Sequence, residues 1–365
     1  MELNAEMLVI IIILAVGALL CAEYIWLYII ANRQEETLLR NGEYDGEIHN
    51  CFEAILGAPT QLAQSEEIGH LCEYVKNDYE KFDIAACKLL ELQNRSADLS
   101  EEKRQALLQL AEQLQPVETY QSYFDNGNDY LKGYICRRLA DFKSTDSIER
   151  LRQCVDSKNK TLQYNGAMAL SVLGDEEYMV KYLSMCEDNR KYSYRVIVEL
   201  LDLYTGDKAS LARRVFADCS DYMKATVIKG IAQDGIRELT DVYIEGMRST
   251  NPQIKIACVK ALSVIADPSL EHLLIIALND KNWVVRSSAV RGLQKIKSPA
   301  ALGAVEHATG DEEWWVRQIA AKALVEMDDS MEHVEAVLQG YDKYAADAVK
   351  NTLYKIINMG GEDSK

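Results

Sequence analysis

Apolar positions in the C-terminal two-thirds of the chain recur at helical spacing and then recur again as whole blocks. "VRQIAAKAL" (Val316 to Leu324) aligns with "VRSSAVRGL" (Val285 to Leu293), "IKIACVKAL" (Ile254 to Leu262) and "MKATVIKGI" (Met223 to Ile231), each offset by 31 residues. Four columns keep their character. The first basic column is Lys224, Lys255, Arg286 and Arg317, and the second is Lys229, Lys260, Arg291 and Lys322. A small column holds Gly230, Ala261, Gly292 and Ala323, and an aliphatic column closes the block at Ile231, Leu262, Leu293 and Leu324. The aliphatic column extends back through Leu201, Leu170 and Leu139 and forward to Leu353, so eight units span residues 124–359. A fixed period over this length is the mark of a stacked repeat.

Each unit reads as two helices. Val285, Ala289, Val290, Leu293 and Ile296 form one apolar face of a first helix. A short turn follows, with Pro268 and Pro299 in one column, where a first helical position has no use for the missing N–H. A second helix, such as "LEHLLIIAL" (Leu270 to Leu278), completes the hairpin. One such hairpin cannot bury both of its apolar faces, whereas stacked hairpins share a continuous core. The expected fold is all-α, an α-solenoid. The pattern fades towards residue 47, yet "FDIAACKLLEL" (Phe82 to Leu92) echoes the first helix, so residues 47–123 are expected to be divergent helical hairpins capping the array. "RNGEYDG" (Arg40 to Gly46) is expected to lie in a linker spanning residues 32–46, and residues 360–365 in a tail.

The N-terminus has a different pattern. "MLVIIIILAVGALLCAEYIWLYIIA" (Met7 to Ala31) carries one ionisable residue, Glu23. About 20 apolar residues cross a bilayer core, and the preceding "MELNAE" lacks the basic start of a secretory signal. The run therefore predicts an uncleaved, single-pass transmembrane helix. Arg33 and Arg40 follow it and no Lys or Arg precedes it, which puts the N-terminus outside and the large C-terminal part in the cytoplasm of the cell (inner) membrane. Ala15, Ala18 and Ala22 share one side of this helix, where small residues let a partner helix approach, with Glu23 beside them. Alternatively Glu23 marks the membrane surface, with Tyr24, Trp26 and Tyr28 as an aromatic belt.

The net charge of −17 argues against nucleic acid as a partner, because phosphate binding needs displaced counterions and hence Lys and Arg. The nine cysteines are odd in number, scattered, and without a C-x-x-C pair, which fits buried thiols in a reducing compartment. The histidines lack metal-ligand spacing, and neither a phosphate-binding glycine loop nor a G-x-S-x-G motif occurs. No catalytic, metal or cofactor site is expected.

The "D-x-x-x-x-V-R" pattern of Asp280 to Arg286 and Asp311 to Arg317 resembles HEAT repeats, in particular the short bacterial HEAT-like (PBS-lyase-type) kind. The resemblance implies a structural ladder in which Asp218, Asp280 and Asp311 pair with Lys224, Lys255, Arg286 or Arg317, with Ser249 interrupting the Asp column. It also implies a binding protein: a membrane-anchored adaptor whose second-helix surface receives a membrane-associated protein partner, a membrane glycosyltransferase among the candidates. A HEAT-like lyase or isomerase is the alternative. From the residues themselves, the second basic column lies about 140° around the helix from the first and is expected to face outward, either to meet an acidic partner or anionic headgroups near the membrane or as a solvated face. With Trp283, Trp314 and Trp315 it makes up the candidate partner-binding set. Trp283 and Trp314 share a column and are expected to pack between units, since a repeated Trp is costly to leave idle. Trp315 stands where the preceding unit has Val284 and either covers the array's end or meets a partner. Partner identity and oligomeric state stay open at this level.

Overall fold

The structure is a computed structural model and describes residues 40–58, 60–186 and 194–359. The apolar run Met7 to Ala31, with Ala15, Ala18, Ala22 and Glu23, lies outside the described residues. Among the described residues no helix is long and apolar enough to cross a membrane. The chain divides into two compact units after Tyr123.

The first unit contains α1 (40–57), α2 (Gln61–Val75), α3 (Tyr79–Asn94), α4 (Glu101–Leu114) and the start of α5 (Pro116–Asn126). Residues 40–46, expected to be linker, are helical. The reason is visible in the burial: Ile48, Phe52 and Ile55 recur every three to four residues and are buried, so the apolar face recruits the preceding turns. Those turns are fastened from outside by Arg40 to Glu80 at 2.8 Å and by Lys81 over the Tyr44 ring. Gly42 and Gly46 meet nothing that a side chain would clash with, so they cost the helix only propensity. In the core, the Tyr120 hydroxyl donates to the buried Asp83 carboxylate at 2.7 Å, and its ring packs edge-on against Phe82.

The second unit is a two-layer array. Its first helices are α6 (Asp129–Asp141), α8 (Lys160–Leu173), α10 (Tyr194–Leu203), α12 (Asp221–Ile231), α14 (Pro252–Ile265), α16 (Trp283–Ile296), α18 (Trp314–Met327) and α20 (Lys343–Met359). Between them come the second helices α7 (Ile148–Val155), α9 (Glu176–Met185), α11 (Lys208–Asp218), α13 (Thr240–Met247), α15 (Glu271–Ala277), α17 (Leu302–Ala308) and α19 (Glu332–Gln339). Every first helix packs against the next first helix, from α6 on α8 through to α18 on α20. The second helices pack mainly against the first helix of the following unit, except α9, which packs on α8 of its own unit. Units are thus stitched to their neighbours more than to themselves, as the unburied faces of single hairpins require.

The local signals act as expected. Asn251 and Asn282 cap α14 and α16 through side-chain oxygens that accept from Gln253 N and Val284 N, both at 2.9 Å. Pro268 and Pro299 each open a short 3-10 turn that leads into the second helix. The aliphatic column from Leu139 to Leu324 is buried at every position. Leu353, its last member, is half-buried, because no further described unit covers it.

The small column is explained by close approach. A Cβ on Gly292 would stand 2.7 Å from the Leu274 side chain and 3.0 Å from Ser263 Cα, where α16 crosses α14. Ser263 Oγ also reaches the Ser288 carbonyl at 2.7 Å across the same seam. A leucine tip can yield, but a backbone atom cannot. Gly292→Val is therefore expected to destabilise the array by about 2 kcal/mol, since overpacking outweighs the helix propensity gained. A thermal-unfolding curve as stable as the wild type's would refute this.

One tie in the second layer is sensitive to pH. His333 Nδ1 lies 2.6 Å from the Glu306 carboxylate, joining α19 to α17. That hydrogen bond, with the negative charges of Glu306 and Asp328, raises the His333 pKa above its ordinary value against a smaller effect of burial. A raised folded-state pKa stabilises fully below the unfolded value, about 6.5, and is lost as pH climbs through the folded value. Melting temperature is thus expected to fall from mildly acidic to mildly basic pH, and Glu306→Gln is expected to flatten that part of the profile.

Candidate binding groove

The ladder can be followed rung by rung. Lys255 Nζ meets Asp280 Oδ2 at 2.8 Å, bridging one unit to the next. Arg286 meets Asp311 through two parallel bonds, Nε to Oδ2 and Nη2 to Oδ1, each 2.7 Å. Its third nitrogen, Nη1, donates to the carbonyls of Asp280 at 2.9 Å and Lys281 at 3.2 Å. The guanidinium thus ties the turn before its own helix to the turn of the following unit. Arg317 repeats only the first half, donating to the Asp311 carbonyl at 2.6 Å, and sets its guanidinium over Tyr344. The expected rungs at Lys224 and Asp218 are not made among the described residues. Ser249 offers no carboxylate to Lys224, which instead lies 5.4 Å from the Phe216 ring centre. Asp218 is exposed, and the first-basic-column position one unit earlier is held by Tyr194 rather than a cation.

The first-helix layer also carries a groove, in two continuous parts. One cavity of about 720 Å3 lies over α14, α16 and α18, lined by Lys260, Arg291 and Lys295 with Trp283 and Trp315. The other, of about 630 Å3, lies over α12 and α14 and includes Lys229, Lys260, Tyr194 and Tyr222. Lys260 and Val284 line both. One stripe of each first helix forms this surface. Tyr222, Gln253, Val284 and Trp315 occupy one repeat column, and Lys229, Lys260 and Arg291 occupy another seven residues on, two turns further along the same face.

Several sequence expectations meet here and some change. Lys229 and Arg291 face outward on the first helices, as does the exposed Lys322, while Lys260 is half-buried. Lys322 lines a separate cavity beside Lys355 and lies 3.6 Å from Glu326, so the row along the groove has three cations, not four. The tryptophans expected to pack between units are only partly covered, Trp283 being 38% exposed and Trp314 51%. They stand at the first turn of their helices, while Val285 and Val316 in the same turns are buried. Trp315 is 57% exposed and packs edge-on against Trp314 with ring centres 4.6 Å apart. These two cavities lie on the first helices, where the small column brings α14 and α16 close at their crossing while longer side chains on the outward stripe flank the groove.

Sequence reasoning missed Tyr194, Tyr222 and Lys295. Tyr222 had a legible signal, since it lies in the Trp315 column three units earlier, so that aromatic rings occupy both ends of the column. Tyr194 had none in its column. It is placed by the neighbouring helix, where the Lys229 ammonium lies 4.3 Å from its ring centre.

Fold and groove together define a helical-repeat protein with a cationic, aromatic surface on one layer of its array. Residues 270–354 match the family model of HEAT repeats. No curated protein matches the chain in sequence. Among solved structures the chain is similar to Kap121p at 12% identity, with a TM-score of 0.47 over 84% of this chain and 42% of that one. An engineered protein is similar at 15% identity, with a TM-score of 0.35 over 85% of this chain and 98% of that one. Human deoxyhypusine hydroxylase is similar at 14% identity, with a TM-score of 0.29 over 80% and 99%. The chain thus spans less than half the length of Kap121p.

Proposed function

We propose that the protein is a binding scaffold whose first-helix groove receives a protein partner. The observation that carries this reading is the groove itself: exposed tryptophans beside cations, laid across four consecutive repeat units, on a chain of net charge −17. Exposed Trp and Arg at a recessed surface are the residues that dominate protein interfaces. The larger cavity is lined by neither a carboxylate nor a histidine, and the smaller by the single carboxylate of Asp221, so the groove supports the lyase or isomerase alternative less than the scaffold reading.

The finer reading places the scaffold at a membrane. The apolar run Met7 to Ala31 would tether it, with the array in the cytoplasm and the partner a membrane protein. A membrane enzyme such as a glycosyltransferase is the candidate class, resting on that run and on the HEAT-like pattern alone. Labelling of Cys51 by a membrane-impermeant thiol reagent in unlysed cells would overturn the cytoplasmic placement.

The scaffold reading is tested by a photo-crosslinking amino acid placed at Trp315 or Trp283 in the full-length chain in cells. One discrete adduct is expected from these positions and none from the exposed Tyr130, which lies outside the groove. Equal adducts from all three positions, or none from any, would refute it.

A further inference from the structure

The groove also specifies the chemistry and the period of its ligand, given the scaffold reading above. The larger cavity gathers Lys260, Arg291 and Lys295 with no carboxylate in its lining. None of the three has an ion pair among the described residues, although the nearby Lys322 does. Acidic side chains outnumber basic ones, 57 to 40, so a cavity lined by three cations and no carboxylate runs against the overall charge of the chain. Lys229 continues the row one unit earlier. The complementary occupant is acidic.

Spacing then selects its backbone. The row has one cation per first helix, at matched positions in the repeat, so its step is the distance between packed helices, about 8–10 Å. A polyproline-II segment has three residues per turn at about 3.1 Å each, so every third residue returns to the same side after about 9.3 Å. A β-strand returns after about 6.7 Å and an α-helix after about 5.4 Å or, over two turns, about 10.8 Å, so the polyproline-II repeat is the one that falls inside the step of about 8–10 Å. The aromatic rings agree with this choice. Trp283, Trp315 and Tyr222 flank the cations, and aromatic-lined grooves are the surfaces on which extended proline-containing segments dock.

We propose that the groove binds an extended, proline-containing segment of a partner protein with Asp or Glu at every third position, one carboxylate each for Lys229, Lys260 and Arg291. A membrane surface fits less well. The four groove cations are spread over three repeat units rather than clustered, and a body of charge −17 is repelled by anionic headgroups.

The test uses the purified full-length chain and three probes. The first is a peptide of repeated Glu-Pro-Pro, the second a peptide of identical composition with its glutamates in one block, and the third vesicles of phosphatidylserine and phosphatidylcholine. Binding is read by tryptophan fluorescence and by titration calorimetry at two salt concentrations. The expected result is that the period-three peptide binds at least tenfold more tightly than the block peptide. The double variant Lys260→Gln/Arg291→Gln, unchanged in circular dichroism, is expected to lose at least tenfold in that affinity, about 1.4 kcal/mol. Equal binding of the two peptides overturns the period. Because the apolar run Met7 to Ala31 is expected to bind vesicles without the groove, the vesicle arm compares wild type with the double variant. Vesicle affinity that falls tenfold in the variant while neither peptide binds overturns the protein ligand. If neither peptide binds while the Trp315 crosslinker still captures a partner, the acidic segment is wrong and the scaffold reading stands. Loss of the crosslink as well removes both.

Discussion

Replacing Arg286 with alanine is expected to lower the stability of the repeat array by about 3–5 kcal/mol, the cost of stranding one partner of a buried ion pair. The side chains of Arg286 and Asp311 are only 8% and 10% exposed, so water cannot replace what the substitution removes. Asp311 loses two bonds, and the carbonyls of Asp280 and Lys281 lose their shared donor. The double substitution Arg286→Leu/Asp311→Leu is expected to recover much of the loss, because the pair's desolvation cost disappears with it. Lys255→Ala, at a rung where the side chains are 27% and 16% exposed, is expected to cost less. Because stacked repeats need not unfold in one step, the measurement is hydrogen exchange resolved along the chain, alongside the melting curve. A loss confined to α16, α18 and the turn between α17 and α18 is expected. An Arg286→Ala protein with wild-type protection there would mean that the ladder contributes nothing.

Trp315→Ala is expected to behave in the opposite way, leaving the fold and removing the partner. The ring is 57% exposed and meets Trp314 edge-on, a contact of about 1 kcal/mol. Its loss therefore costs little stability. In the groove it is an anchor beside Arg291 and Ile319, and truncating a central aromatic anchor weakens binding by about 2 kcal/mol or more, roughly thirtyfold. Circular dichroism and melting temperature are expected to stay near wild type while retention of the crosslinked partner collapses. A variant that unfolds without losing its partner would reassign Trp315 to architecture.

These two residues lie in the same stretch as Asp311 and Arg317, and they show how far the pattern could be read. The period identified which residues are equivalent. It found the aliphatic column, whose members are buried from Leu139 to Leu324, and it found the carboxylate and guanidinium columns that join at Arg286 and Asp311. It placed Trp283 and Trp314 in one column as well, but equivalence is silent about burial, and both rings are exposed. Residues 40–46 read as linker but are helical, with Gly42 and Gly46 on an exposed helix side, because the apolar spacing of Ile48, Phe52 and Ile55 decides. The missing rungs at Lys224 and Asp218 were half legible, since Ser249 breaks the Asp column openly while the absence of a cation opposite Asp218 needs the inter-unit register.

The sequence by itself determined the helical repeat, the unit length, the shared core column and the equivalence of residues along the array. Those follow from a hydrophobic period, which is local and survives in one dimension. Only the tertiary structure decided which stripe of the first helices lies open, that Lys229, Lys260 and Arg291 flank one groove with Trp283 and Trp315, and that Lys322 is drawn aside by Glu326. A groove is made by the distance between helices of neighbouring units, and that distance is set where Gly292 meets Ser263 across two units rather than within one.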